Sequence, residues 1–178
     1  GLDIAAHFGP PTLPDAVIYP TGGGTGLVGI WKAFAELSAL DRLPGGLPVM
    51  IAVQSEGCAP VVEAFRRGLA AVEPVVSRGT VADGLDVPGA IMGHRMLGVL
   101  RESGGTAVAV SEAEIIAAFH RYGALGVTAS YEGAATLAAA RRLRTEGFLK
   151  PGMKVLLVNT ANHLVSLARA EPPVSGAH

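Results

Sequence analysis

The chain has 178 residues, 49% of them apolar, and a net charge of −1 with basic and acidic side chains mixed along its length. That is one domain's worth of sequence with enough apolar residues for a core, and it carries no electrostatic footprint for nucleic acid or for an anionic membrane. No apolar run approaches the roughly 18 residues of a membrane span, and the single cysteine, Cys58, excludes an internal disulfide and a multi-thiolate metal site and suits a cytoplasmic location.

The opening "GLDIAAHFG" reads as a helix with no methionine before it, as though an upstream segment had been removed, and no signal-peptide pattern precedes it. Ala16 to Tyr19 is a buried strand, and Leu27 to Leu40 a helix in which Ile30, Trp31, Phe34 and Leu37 recur at helical spacing. After the breaker "LPGGLP" come a strand from Val49 to Val53 and a helix from about Ala59 to Leu69. An irregular glycine-containing connection, "EPVVSRGTVADGLDVPG", leads to a helix from Ala90 to Arg101 and a strand from Thr106 to Val110. "SEAE" is a capping box, with Ser111 capping the next helix and Glu114 reaching back. "GVTAS" reads as a short strand, Glu132 to Glu146 as an alanine-rich helix, and Lys154 to Thr160 as the last strand. Strands alternating with helices predict an α/β fold of three layers, a mostly parallel twisted sheet with helices on both faces. Residues 1–170 form the domain in this reading, and 171–178, with Pro172 near their start, a loose tail.

"YPTGGGTGLVGIW", Tyr19 to Trp31, sits between the first strand and its helix. A glycine-rich turn there exposes backbone N–H groups at the positive end of the helix dipole, without a Cβ to hold an anion away, so a phosphate ligand is expected. The hydroxyls of Thr21 and Thr25 can add donors. Gly24 to Gly29 has Walker spacing but is followed by Ile30 and Trp31 where Lys and Ser or Thr are needed, so that reading falls. Gly24, Gly26 and Gly29 also satisfy G-x-G-x-x-G, and Glu56 follows the next strand as a ribose-binding acid would; a Rossmann-type nucleotide-binding module stays open on those residues.

"PTGGGTGLVGIWKAF", "AVQSEGCAPVVEAF", "LRESGGTAVAVSEAEI", "EGAATLAAARRL" and "VLLVNT" occur in an order and spacing that resemble the carboxyl-terminal half of the threonine synthases, pyridoxal-phosphate (PLP) enzymes of fold type II, the tryptophan synthase β superfamily. The resemblance runs from about Leu2 to Leu164. It implies that Gly22, Gly23, Gly24, Thr25 and Gly26 hold the cofactor's phosphate, and Thr21 is expected among the cofactor-binding residues with them. It also implies that the hydroxyl of Thr160, in "VNT", lies against the pyridine nitrogen, and that the segment of Glu132 lies near the cofactor. A neutral hydroxyl at that nitrogen does not force it to be protonated, which tempers the electron withdrawal by the ring. The family commonly has proline where Tyr131 stands, and a glycine-rich ending where this chain has "TANHLVSL".

The same resemblance implies conversion of O-phospho-L-homoserine and water to L-threonine and phosphate by a cytoplasmic homodimer. A serine/threonine ammonia-lyase of the same superfamily is the nearest enzyme alternative, and a non-catalytic module the alternative from another class. The Schiff-base lysine of the family has no counterpart here. Of Lys32, Lys150 and Lys154, the first falls on the outward side of its helix and the others flank a turn, so the chain by itself is expected not to turn over substrate. The remaining candidates read as structural. Cys58 is a small buried residue at a helix start, Asp83 a turn former and Arg141 to Arg144 a solvated helix face. His7, His94, His120, His163 and His178 have no metal-ligand spacing, so no metal is expected.

Overall fold

The computed structural model describes residues 1–8, 13–43 and 45–164. Its elements are α1 (Leu2–Phe8), β1 (Ala16–Pro20), α2 (Thr25–Ala39), β2 (Val49–Ser55), α3 (Pro60–Arg66), α4 (Gly93–Glu102), β3 (Thr106–Val110), α5 (Glu112–Ala124), α6 (Tyr131–Thr145) and β4 (Val155–Leu157), with a 3₁₀ turn at Asp83–Leu85. The expected tail lies outside the described residues.

The described strands form one parallel sheet in the order β3-β2-β1-β4. Side chains alternate across a strand, so each strand feeds two cores. Val17, Met50, Ala52, Ala107 and Ala109 face one way and pack with Leu27 and Phe34 of α2, Val61 of α3 and Leu97 of α4. Ala16, Ile18, Ile51, Val53, Val108 and Val110 face the other way, against Ile115 of α5 and the alanines of α6. A sheet covered on both faces needs apolar residues at successive positions, which is why "AVIY" and "VMIAV" are unbroken apolar runs.

Two expected strands differ. "GVTAS" is not a strand: Gly126 takes a left-handed φ of 74°, and only Ala129 pairs, in a single antiparallel bridge with Asn162. The last strand is shorter than Lys154 to Thr160: among the described strands β4 pairs with β1 alone, which it matches over three residues, Ala16 to Ile18. One more hydrogen bond, from the Val158 amide to the Ile18 carbonyl at 3.1 Å, carries the pairing past the strand's end. Beyond it, Asn159 packs on the first turn of α6. A Cβ on Gly133 would lie 2.0 Å from the Asn159 Oδ1, so glycine there lets the segment close in.

Arg142 corrects the expectation of a solvated Arg141–Arg144 face. Its guanidinium donates to both carboxylate oxygens of Glu114, to the Glu56 carboxylate and to the carbonyl of Ala109. It therefore ties α6 to the start of α5 and to the end of β3. The capping box forms as expected: the Ser111 amide donates to the Glu114 Oε2 at 2.8 Å, and the Ser111 hydroxyl accepts from the Glu114 amide.

Candidate functional site

The chain runs outward from β1 through β2 to β3, then returns to place β4 on the other side of β1. Such a reversal of strand order opens a crevice at the carboxyl ends of the two diverging strands. A cavity of about 640 Å³ lies there, lined by Gly22–Gly26 after β1, by Thr160 and Ala161 after β4, by Asp83–Leu85, and by Tyr131 and Glu132 at the start of α6.

The first wall has the makings of an anion seat. Helix α2 begins at Thr25, two residues earlier than its apolar spacing suggested, so Thr25 and Gly26 belong to its first turn. Gly24 precedes it with φ 90°, and no side chain caps the helix. The amides of Gly22, Gly23 and Gly24 make no hydrogen bond among the described residues. Unpaired N–H groups at a helix start are satisfied by water or by a ligand. Gly23 has no atom within 4 Å of where a Cβ would stand, so this stretch of backbone is approachable. Thr21 is placed differently: it is fully buried and absent from the lining, its hydroxyl donates to the Tyr19 carbonyl at 2.8 Å, and its own carbonyl accepts from Gln54 at 3.1 Å.

The opposite wall is held by carboxylates. The Glu132 Oε1 accepts the amide of Gly84 at 2.9 Å, which pins the 3₁₀ turn carrying Asp83 to the amino end of α6. Upstream on the same connection, Glu112 accepts from the Val81 amide and from the Ser55 hydroxyl, each at 2.7 Å. Burial opposes ionisation of Glu112, but hydrogen bonds from Thr80, Val81 and Ser55 outweigh it and hold the carboxyl below its ordinary value. Among the described residues, those lining the cavity include no lysine, arginine or histidine. Lys32 points away and pairs with Glu36.

Of the residues singled out from sequence, the structure thus brings together Gly22, Gly23, Gly24, Thr25, Gly26, Glu132 and Thr160 around one cavity, with Asp83 beside them. Tyr19 and Tyr131 line it too. In the sequence Tyr131 stands out only as a departure from the family, and Tyr19 only as the end of a strand; its position at a strand's carboxyl end beside a glycine loop is the available signal. Glu56 is held by Arg142 instead of lining the cavity, and Gly29 faces solvent with open space where a Cβ would be. In the dinucleotide pattern the third glycine allows close helix packing, so neither residue plays its part in that pattern. Cys58 is 1% exposed, and burial, reinforced by the charge of Asp86, pushes its thiol pKa up, which suits a structural residue and not a nucleophile.

Comparison with known proteins shows which family the chain belongs to. The family described as "Pyridoxal-phosphate dependent enzyme" matches residues 1–161. The chain belongs to that family. Among its PLP-dependent relatives, it is 31% identical to the threonine synthase of Methanosarcina acetivorans, over 85% of this chain and 38% of the relative. It is 27% identical to the threonine synthase of Methanocaldococcus jannaschii, over 91% of this chain and 41% of the relative. The chain therefore spans about two fifths of the length of these curated relatives. Among solved structures, a threonine deaminase from T.th. superposes with TM-score 0.64 at 25% identity, covering 90% of this chain and 53% of that one. Threonine synthase from Escherichia coli superposes with TM-score 0.66 at 23% identity, covering 94% and 37%, and bears on the fold alone. The three-layer α/β architecture is that of fold type II PLP enzymes, and the uncapped, approachable loop fits the cofactor's phosphate.

Proposed function

We propose that this chain is the cofactor-holding part of a cytoplasmic, homodimeric threonine synthase, which converts O-phospho-L-homoserine and water to L-threonine and phosphate. The observation that carries the reading is the cavity at the carboxyl ends of β1 and β4, in a chain whose curated relatives bear that name. The amides of Gly22, Gly23 and Gly24 and the first turn at Thr25 and Gly26 bind the cofactor phosphate. Thr21 roots the loop by tying its backbone to β2. The Thr160 hydroxyl, on the facing segment, serves the ring nitrogen. When bound, PLP supplies an electron sink for charge developing at the substrate carbons. Glu132 holds Gly84 in place and so keeps the cavity's second wall closed against water.

Proton transfer at the substrate carbons needs a basic amine, and none lines the cavity among the described residues. The amine belongs to polypeptide beyond these residues, so the chain alone binds cofactor without turnover. Adding PLP, reducing with borohydride and mapping the peptides tests this. We expect saturable binding with no stoichiometric adduct on Lys32, Lys150 or Lys154; such an adduct on one of them overturns the assignment.

A second reading is favoured by the 25% identity to a threonine deaminase structure. The two differ in product. Threonine and phosphate released from O-phospho-L-homoserine, by the polypeptide carrying this chain as its own cells make it, support the synthase. A 2-oxo acid and ammonia released from threonine support the deaminase.

A further inference from the structure

The seat at the start of α2 is short of positive charge. A phosphate monoester there is close to a dianion, yet the cavity lining has two carboxylates, Asp83 and Glu132, and no cationic side chain among the described residues. Among the described residues, only neutral donors are at hand for the anion. The loop amides are the obvious ones, and one side chain stands beside them with nothing assigned to it.

Tyr19 is the penultimate residue of β1, on the face that packs against α2, and it is half-buried. Its hydroxyl lies against the first turn of that helix: a Cβ on Gly26 would come within 1.9 Å of the phenol oxygen. Glycine at position 26 is what makes room for it. The hydroxyl has no hydrogen-bond partner among the described residues and is not sealed from solvent, so it stands as a donor open to a ligand in the cavity that Tyr19 lines. Burial alone raises the phenol pKa, which keeps the group a protonated donor at neutral pH. A phenylalanine would serve the packing, and the hydroxyl adds a donor at the cavity.

We infer that the Tyr19 hydroxyl donates a hydrogen bond to the anion held at the amino end of α2, adding a side-chain donor to a seat otherwise built from glycine amides and Thr25. The inference rests on the phosphate reading of the loop. It also explains Gly26 in terms the loop alone does not, since a larger residue there would displace the phenol whether or not it blocked the amides.

The test compares wild type with Tyr19→Phe for binding of PLP, of pyridoxal, which lacks the phosphate, and of inorganic phosphate as a competitor. Thermal unfolding of both proteins is followed without ligand. The expected result is a fivefold to tenfold loss of affinity for PLP and for inorganic phosphate, with pyridoxal binding and the unliganded Tm unchanged. Phosphate should also perturb the ultraviolet difference spectrum of one tyrosine in wild type, and that signal should vanish in the variant. Equal phosphate affinity in the two proteins overturns the inference. So does an equal loss for pyridoxal, which would assign Tyr19 to packing. A wild-type protein that binds neither PLP nor phosphate sinks the loop reading itself and the inference with it. Should Tyr19→Phe fold poorly, the difference spectrum of wild type decides alone, its absence counting against the contact.

Discussion

Glycines in the site loop do different jobs, and their surroundings tell them apart. A Cβ on Gly22 would lie 2.4 Å from the carbonyl oxygen of Gly84, a backbone atom that cannot swing aside. Gly22→Ala must therefore push the loop away from the opposite wall. We expect a stability loss of about 1–3 kcal/mol, as for other overpacking changes, and at least a tenfold loss of PLP affinity, read by denaturation and by cofactor titration. Gly29 differs: it sits in the interior of α2, exposed, with nothing near the position of a Cβ. Gly29→Ala should stabilise the protein by about 0.5–1 kcal/mol through helix propensity and leave PLP binding untouched. A Gly29→Ala protein that lost cofactor would revive the nucleotide-type pattern set aside above.

Helix α5 shows how one element can serve two ends. Glu112, its first residue, holds the connection that forms a cavity wall, while Glu114, two residues further in, closes the capping box and receives Arg142. Burial opposes ionisation of Glu114, yet the bonds from Ser111 and Arg142 prevail and its pKa falls. A carboxyl whose folded pKa is depressed contributes stability above its unfolded pKa and loses it as pH falls through the folded value. Acid should therefore loosen the α5–α6 contact, and Glu114→Gln should flatten the acid limb of the stability-against-pH profile while costing about 1–2 kcal/mol at neutral pH. Chemical denaturation across pH measures both, and an unchanged acid limb would count against the assignment. The cap was legible in four consecutive letters, because its partners are local. Arg142 and Glu114 are 28 residues apart on different helices, and nothing in "RRLR" reveals which arginine turns inward; that is set by how α6 sits on the sheet.

The alternation of apolar strands and helices made the layered sheet readable for the whole molecule, and the glycine run marked one wall of the cavity. Strand order was not readable, since β4 has only three paired residues and its place beside β1 depends on contacts such as Gly133 against Asn159. That order is what carries Thr160 to the cavity, so the family resemblance, and not local pattern, was the only route to it. Binding to the folded form should raise Tm in step with ligand concentration, by about 2.7 kcal/mol of stability at a hundredfold excess over Kd. Phosphate and PLP should both do this, and pyridoxal less. A flat Tm with PLP in excess would show that the cavity is not its seat.

The strand order also sets a timetable. Of the described strands, β1 is the first synthesised and β4 the last, yet they are neighbours. While the ribosome is still making α6, β1, β2 and β3 can already pair, and the flank of β1 that β4 covers has no partner among the described strands until Val155–Leu157 emerges. A bare strand flank is an invitation to pair with the wrong chain. The nascent protein is thus most vulnerable just before its cavity acquires the wall at Thr160 and Ala161.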